Sequence, residues 1–283
     1  MISSSTRTLA IIGDPIEHSL TPRIQNVALG EIGADVVNVA LRVAPGNLAD
    51  AIRGARALGL LGLMVTIPHK ESVLDLCDEL DESARAMGAA NLLQFDGDKI
   101  IGHSTDGWAA IKSLAEENVE VKNARLAILG GGGAARSLAL TFALEGAAKI
   151  TILNRTVSRA ETIAEEVRAL GVESFAASLD AEVARETLQN CDLLVNATSV
   201  GMAPHVEDSP ISREFLHENL AVYDIVYNPL ETRLLREARE IGARCVDGLG
   251  MLIYTNVRAV QICANLETSA AVMRVEALHA LQK

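Results

Sequence analysis

Leu126-Ala-Ile-Leu-Gly-Gly-Gly-Gly-Ala-Ala-Arg136 decides the fold: an apolar run of strand length ends in four glycines and opens directly into Ser137-Leu-Ala-Leu-Thr-Phe142. A strand, a tight turn and a helix are what that order predicts. Gly130, Gly132 and Ala135 fit the spacing G-x-G-x-x-A, with Gly131, Gly133 and Ala134 between them. Glycines at those places let the backbone approach a pyrophosphate, and the helix start adds unpaired N–H groups and the positive end of its dipole. An ordinary strand-to-helix turn would use the same residues, so the sequence downstream has to decide.

A dinucleotide fold needs a second strand about 20 residues later whose end reads the adenosine ribose. Lys149-Ile-Thr-Ile-Leu-Asn154 is that strand, and it ends in Asn154-Arg155-Thr156 where an acid would otherwise stand. A carboxylate would accept from the 2'-hydroxyl of NAD, but it would repel the 2'-phosphate of NADP. Arg155 and Arg159 are four apart and share a face if the following helix has begun. Two guanidiniums beside a hydroxyl suit a phosphate. The alternative is a solvated arginine pair on a surface helix.

Composition sets the outer limits. A chain of 283 residues makes one or two domains with a sizeable core, and 49% hydrophobic with 22% charged residues is the balance of a globular protein. A net charge of -12 argues against a nucleic-acid partner or an anionic membrane surface. Any anionic substrate therefore needs a local cationic or dipolar site. Cys77, Cys191, Cys245 and Cys263 are widely spaced with no C-x-x-C pair, and no histidines stand in metal-ligand register. They read as buried free thiols of a reducing compartment. No apolar run approaches the roughly 18 residues of a membrane span, and Met1-Ile-Ser-Ser-Ser-Thr-Arg7 lacks the apolar core of a signal peptide. A cytoplasmic protein, monomer or homodimer, with no metal is expected.

Upstream, Thr8-Leu-Ala-Ile-Ile-Gly13 predicts a first strand, followed by a polar loop and a helix over 22–29 in which Thr21 before Pro22 reads as the N-cap. Ser19 and Thr21 put two hydroxyls and a helix N-terminus at one strand end, a pattern able to bind a small carboxylate, although capping alone accounts for Thr21. Strands over 35–42 and 60–66 with a helix over 44–58 between them argue for a parallel α/β sheet. Pro68 stands at the first position of a predicted helix, so Lys70 falls in its first turn. An ammonium there meets the wrong end of the dipole, at about 0.3 to 1 kcal/mol when exposed. Residues 87–95 and 99–102 form a strand pair across a turn at Asp96-Gly97-Asp98. Asp106 then opens a helix running to about Glu117, where capping by itself would place an acid.

These residues, taken together, carry a resemblance. His18-Ser-Leu-Thr-Pro22, Val65-Thr-Ile-Pro-His-Lys70, Gly88-Ala-Ala-Asn91, Thr105-Asp106-Gly107, the Gly130 loop and Asn154-Arg155-Thr156 resemble the shikimate dehydrogenase family. So do Asn196-Ala-Thr-Ser-Val-Gly-Met202, Asp224-Ile-Val-Tyr-Asn-Pro229 and Asp247-Gly-Leu-Gly-Met-Leu252, in order along nearly the whole chain. The resemblance implies a two-domain α/β protein. An N-terminal α/β substrate domain would comprise residues 1–105 plus 250–283, and a Rossmann-type NADP-binding domain residues 106–249. Two long helices would bridge the cleft, and the C-terminal helices would return to the first domain. The family's catalytic pair maps onto Lys70 and Asp106. A small anionic ring substrate would be held by Ser19, Thr21, Thr66, Asn91 and Asp106, with Tyr227 near its carboxylate and Thr255 at the position of a substrate-contacting residue. The cofactor side takes Gly130, Gly131, Gly132, Gly133, Ala134, Asn154, Arg155, Thr156 and Arg159, with Gly248 near the nicotinamide and Glu82 a lesser candidate.

The sequence departs from the family pattern at Gln25, Met64, Leu92, Ser104 and Thr255, where the family usually has His, Asn, Thr, Asn and Gln. The implied reaction is the NADP-dependent interconversion of 3-dehydroshikimate and shikimate, a step of aromatic amino-acid biosynthesis. Lys70 would act as proton donor, and Asp106 would orient it and accept from a substrate hydroxyl. A paralogue acting on quinate or another ring acid, and an NADP-binding sensor without turnover, are the alternatives that the altered shell leaves open.

Overall fold

The computed structural model of the chain describes residues 2–282. It divides into two compact units: one runs to Asp106 and resumes at Ile253, and the other is Gly107–Leu252. Asp106 and residues 250–252 thus fall on the other side of the breaks from the sequence expectation.

The first unit contains β1 (Arg7–Gly13), α1 (Thr21–Glu31), β2 (Val36–Arg42), α2 (Leu48–Ala57), β3 (Gly62–Val65), β4 (Glu79–Leu80), α3 (Glu82–Met87), β5 (Leu92–Asp96) and β6 (Lys99–His103). Its sheet runs β2-β1-β3-β5-β6-β4. β1 pairs parallel with both β2 and β3, while β5 is antiparallel to β3 and to β6. The sheet is therefore mixed, not parallel. Gly97, at φ 57, makes the two-residue reversal between β5 and β6 that turns the chain back. The apolar run of β1 reflects burial on both faces. Ala10 and Ile12 join Leu48, Ile52, Leu63 and Val65 on the α2 side, while Leu9 and Ile11 face Leu29, Val260 and Ala259 on the other. Leu29 belongs to α1, and Ala259 and Val260 to α9 (Leu249–Ala264), the helix by which the chain returns to this unit. α10 (Ala270–Leu281) packs on α1 and carries the Glu276 carboxylate that pairs with Arg23.

The second unit alternates strand and helix after α4 (Asp106–Glu116). It contains β7 (Arg125–Leu129), α5 (Gly133–Leu144), β8 (Lys149–Asn154), α6 (Val157–Ala169), β9 (Glu173–Ser178) and α7 (Ala181–Gln189). Then come β10 (Leu193–Asn196), β11 (Ala221–Asp224), α8 (Arg233–Glu240) and β12 (Arg244–Val246). Every recorded pairing in its sheet is parallel, in the order β12-β11-β10-β7-β8-β9. The chain winds outward from β7 in one direction and then from β10 in the other. The carboxyl ends of those two strands are the switch point where such sheets bind ligands.

Candidate active site

In the first unit the expected substrate groups come from strand ends. Thr66 follows β3 directly and lies against Gly13 at the end of β1, where an added Cβ would stand 2.6 Å from Thr66 Cγ2 and 3.0 Å from the Ile67 carbonyl. Only glycine lets the two strand ends come this close. Thr21 is not the N-cap: it is the first residue of α1, only 1% exposed, and Leu20 holds the cap position without a side-chain bond. The Thr21 N–H instead donates to Ser19 Oγ at 3.3 Å, so the serine satisfies the helix start in place of the threonine.

Lys70 does not sit on a helix. Past Thr66 the chain forms successive turns up to a short 3-10 segment at Leu74–Leu76, closed by local bonds such as His69 N–H to the Thr66 carbonyl and Val73 N–H to the His69 carbonyl, with further bonds to remote partners. The buried His69 ring donates to the Val43 carbonyl at 2.7 Å, and the Lys70 carbonyl accepts from the Ala90 N–H at 2.8 Å. A helix dipole therefore sets no cost on the ammonium. Its setting is an ion pair: Lys70 Nζ donates to Asp106 Oδ2 at 2.5 Å, with the lysine side chain 34% and the aspartate 16% exposed. The second carboxylate oxygen, Oδ1, accepts from Asn91 Nδ2 at 2.7 Å, and the same amide reaches Thr105 Oγ1 at 3.0 Å. Asn91 Oδ1 in turn accepts from the Thr105 N–H at 2.8 Å. Both amide protons of Asn91 are thus spent on fixing Asp106 and its neighbour. The structure brings Lys70, Asn91 and Asp106 together into one half-buried, hydrogen-bonded group.

In the second unit Gly130 takes φ 123 and an added Cβ would meet the Ala197 carbonyl at 3.1 Å. Gly131 packs against Asn154 and Arg159, whose Nδ2 and Cβ would lie 2.6 and 3.0 Å from an added Cβ. Gly132 and Gly133 open α5 with free space on their Cβ side, while Ala135 is fully buried beneath them. This is an exposed cradle of backbone at a helix N-terminus. Asn154 Nδ2 donates to the Thr156 carbonyl at 2.9 Å, and Arg155 and Arg159 are both exposed. The helix begins only at Val157, so Arg155 precedes it and the two guanidiniums do not share a helical face. They flank the Asn154-Thr156 turn from the loop and from the first turn of α6.

Asn196 and Asp224 open two of the segments that carry the family resemblance but have no role in the expected site. They end adjacent strands in register, and Asp224 Oδ1 accepts from Asn196 Nδ2 at 2.9 Å and from the Val226 N–H at 3.1 Å. Its other oxygen accepts from Thr232 Oγ1 at 2.7 Å. Burial pushes the Asp224 carboxyl up to about 6 against these donors. The network anchors the loop that carries Tyr227, a half-buried phenol raised by burial. Gly248 fits tightly here, since an added Cβ would stand 2.3 Å from the Ile225 carbonyl. Asp247 before it caps α9 through the Leu249 N–H at 3.0 Å. A polar residue closing each of two apolar strands was the available signal. Thr255 is half-buried on α9, in the first unit, and Glu82 is the exposed first residue of α3.

The four cysteines are free, but only Cys191 is fully buried; burial still raises Cys191 and Cys263 to about 12, so they are inert thiols. Among the described residues no group of three or more His, Cys, Asp or Glu could hold a metal ion, and no helix is long and apolar enough to cross a membrane.

Comparison with known proteins gives two family matches. The model described as the shikimate dehydrogenase substrate binding domain covers residues 11–93, and that of shikimate / quinate 5-dehydrogenase covers residues 113–226. The chain is 44% identical to a shikimate dehydrogenase (NADP(+)) of Methanopyrus kandleri, over 99% of this chain and 98% of that protein. Among solved structures it is similar to a shikimate dehydrogenase in complex with NADP+, with a TM-score of 0.93 and 38% identity over 100% and 98% of the two chains. It is also similar to a ligand-free 5-ketofructose reductase of Gluconobacter sp. strain CHM43, with a TM-score of 0.91 and 33% identity over 98% and 100%.

Proposed function

The chain belongs to the shikimate dehydrogenase family, and on that premise we propose that it catalyses the NADP-dependent, reversible reduction of 3-dehydroshikimate to shikimate. The observation that carries the reading is the Lys70–Asp106 pair, fixed on its far side by Asn91.

The residues present fit NADP. The open backbone at Gly132 and Gly133 with the start of α5 would hold the pyrophosphate, and Asn154, Arg155, Thr156 and Arg159, with no acid among them, would hold the 2'-phosphate. When bound in its reduced form, the cofactor supplies a hydride to the ring ketone. Charge then develops on the carbonyl oxygen, and a positioned donor has to neutralise it. Lys70 Nζ is that donor; in the reverse oxidation it takes the hydroxyl proton. Asp106 holds the ammonium in place through Oδ2 and balances its charge, so the lysine is spared the cost of an isolated charge in a half-buried site. Asn91 keeps Oδ1 of that carboxylate satisfied and so fixes its orientation.

On this reading Ser19, Thr21, Thr66, Asn91, Asp106 and Thr255 of the first unit would hold the hydroxyls and carboxylate of the substrate. Four free thiols support a reducing, cytoplasmic setting. The altered shell around Met64, Ser104 and Thr255 favours, as a second reading, a relaxed choice between shikimate and a similar ring acid.

Turnover with NADP tests both. We expect shikimate to be oxidised with a kcat/KM above that for quinate. Turnover of quinate without shikimate would replace the substrate, and cofactor binding without turnover of either would leave only a sensor.

A further inference from the structure

We infer that Gln25 is a positioning residue for the substrate, acting through the three elements that carry Thr21, Thr66 and Thr255; the inference rests on the substrate site proposed above. Gln25 is completely buried on α1, and its carboxamide makes three contacts in the core of the first unit. Its Oε1 accepts from Asn38 Nδ2 on β2 at 2.7 Å. Its Nε2 donates to the Asn256 carbonyl of α9 and to Met64 Sδ of β3, both at 3.3 Å.

Gln25 itself and two of its three partners, Met64 and Asn256, stand close in sequence to proposed substrate contacts. Thr21 lies one helical turn before Gln25 on α1, and both are buried, so they share the inward face of the helix. Met64 lies on β3 two residues before Thr66, which follows the strand and extends its ladder through its N–H to the Ile12 carbonyl, so the alternation carries over to it. Asn256 follows Thr255 directly on α9. One amide therefore ties together α1, β3 and α9 beside the residues proposed to contact substrate. Met64 is also in register with Leu92, which follows Asn91, so the same patch continues under β5.

A buried polar side chain in an otherwise apolar patch costs stability unless its bonds are made, and when made they select one arrangement of the elements. Asn38 is itself held at its backbone by Asn26, whose Oδ1 accepts from the Asn38 N–H at 2.7 Å and whose Nδ2 donates to the Asn38 carbonyl at 2.9 Å. The amide network thus has a fixed end on β2, and Gln25 transmits that position to the three substrate-bearing elements.

The test is Gln25→Met, which keeps length and approximate volume but makes none of the three bonds. Steady-state kinetics of the whole protein should show KM for the substrate raised roughly three- to tenfold, the scale of one or two net hydrogen bonds. KM for NADP should stay within twofold, and kcat should change less than the substrate KM. Loss of folded protein alone would lower kcat at unchanged KM, and that result would overturn the inference, as would no change at all. Asn38→Ala, which removes the fixed end, should move the substrate KM in the same direction; if Gln25→Met yields no soluble protein, this variant decides. Wild-type protein is assayed alongside on shikimate, quinate and 5-ketofructose. Failure on shikimate counts against the proposed reaction, whereas an unaltered KM for whichever compound is turned over counts against Gln25.

Discussion

At the scale of single residues, the proposed chemistry rests on one ammonium whose place is set by contacts from far along the chain. Lys70 meets Asp106 across 36 residues of sequence, and the carboxylate is held in turn by Asn91. Removing the ammonium leaves the binding groups on their own elements, so its loss should appear in the chemical step. Lys70→Ala is expected to lower kcat by roughly 10² or more with a smaller change in KM. A normal kcat with a raised KM would reassign the lysine to binding. The pair itself was legible in the sequence only through the family pattern, because nothing local to either residue distinguishes a reacting lysine from a surface one. The expected helix at Pro68 failed for a related reason. The Ala90 N–H takes the Lys70 carbonyl that a helix would have used, and the His69 ring bond to Val43 pins the turn from 26 residues away.

Among the elements, β7, α5 and β8 were legible nearly to the residue, since strands buried on both faces read as mostly apolar runs and a glycine turn marks where β7 ends and α5 begins. β5 and β6 were legible as a pair for the same kind of reason, a glycine turn between two apolar segments. What periodicity does not carry is a polar network closing two strands, such as that of Asn196, Asp224 and Thr232 at the ends of β10 and β11. Its consequence is measurable. Burial raises the Asp224 carboxyl from the ordinary 3.8 to about 6, so the folded state holds its proton more tightly than the unfolded chain. The resulting stability is complete below pH 3.8 and is lost as pH rises through 6. Asp224→Asn, neutral throughout, should escape that loss. Its Tm relative to wild type should therefore climb between pH 4 and 7, by an amount on the order of 3 kcal/mol in stability, and level off above. Parallel Tm curves for the two proteins across that range would show that the carboxyl does not titrate in the folded state.

At the scale of the whole molecule, a chain of net charge -12 is proposed to reduce and oxidise an anionic ring acid using NADP, with local cations in place of overall charge. In the proposed function the cofactor side depends on Asn154, Arg155, Thr156 and Arg159 standing where a carboxylate would select NAD, and the substrate side on the Lys70–Asp106 pair. The most direct measurement is kcat/KM for shikimate oxidation by the full chain, determined in parallel with NADP and with NAD. A guanidinium pairing with the 2'-phosphate adds charge-assisted bonds that NAD cannot make, so the ratio should favour NADP by roughly 10². Equal values, a preference for NAD, or no shikimate oxidation with either cofactor would contradict the account.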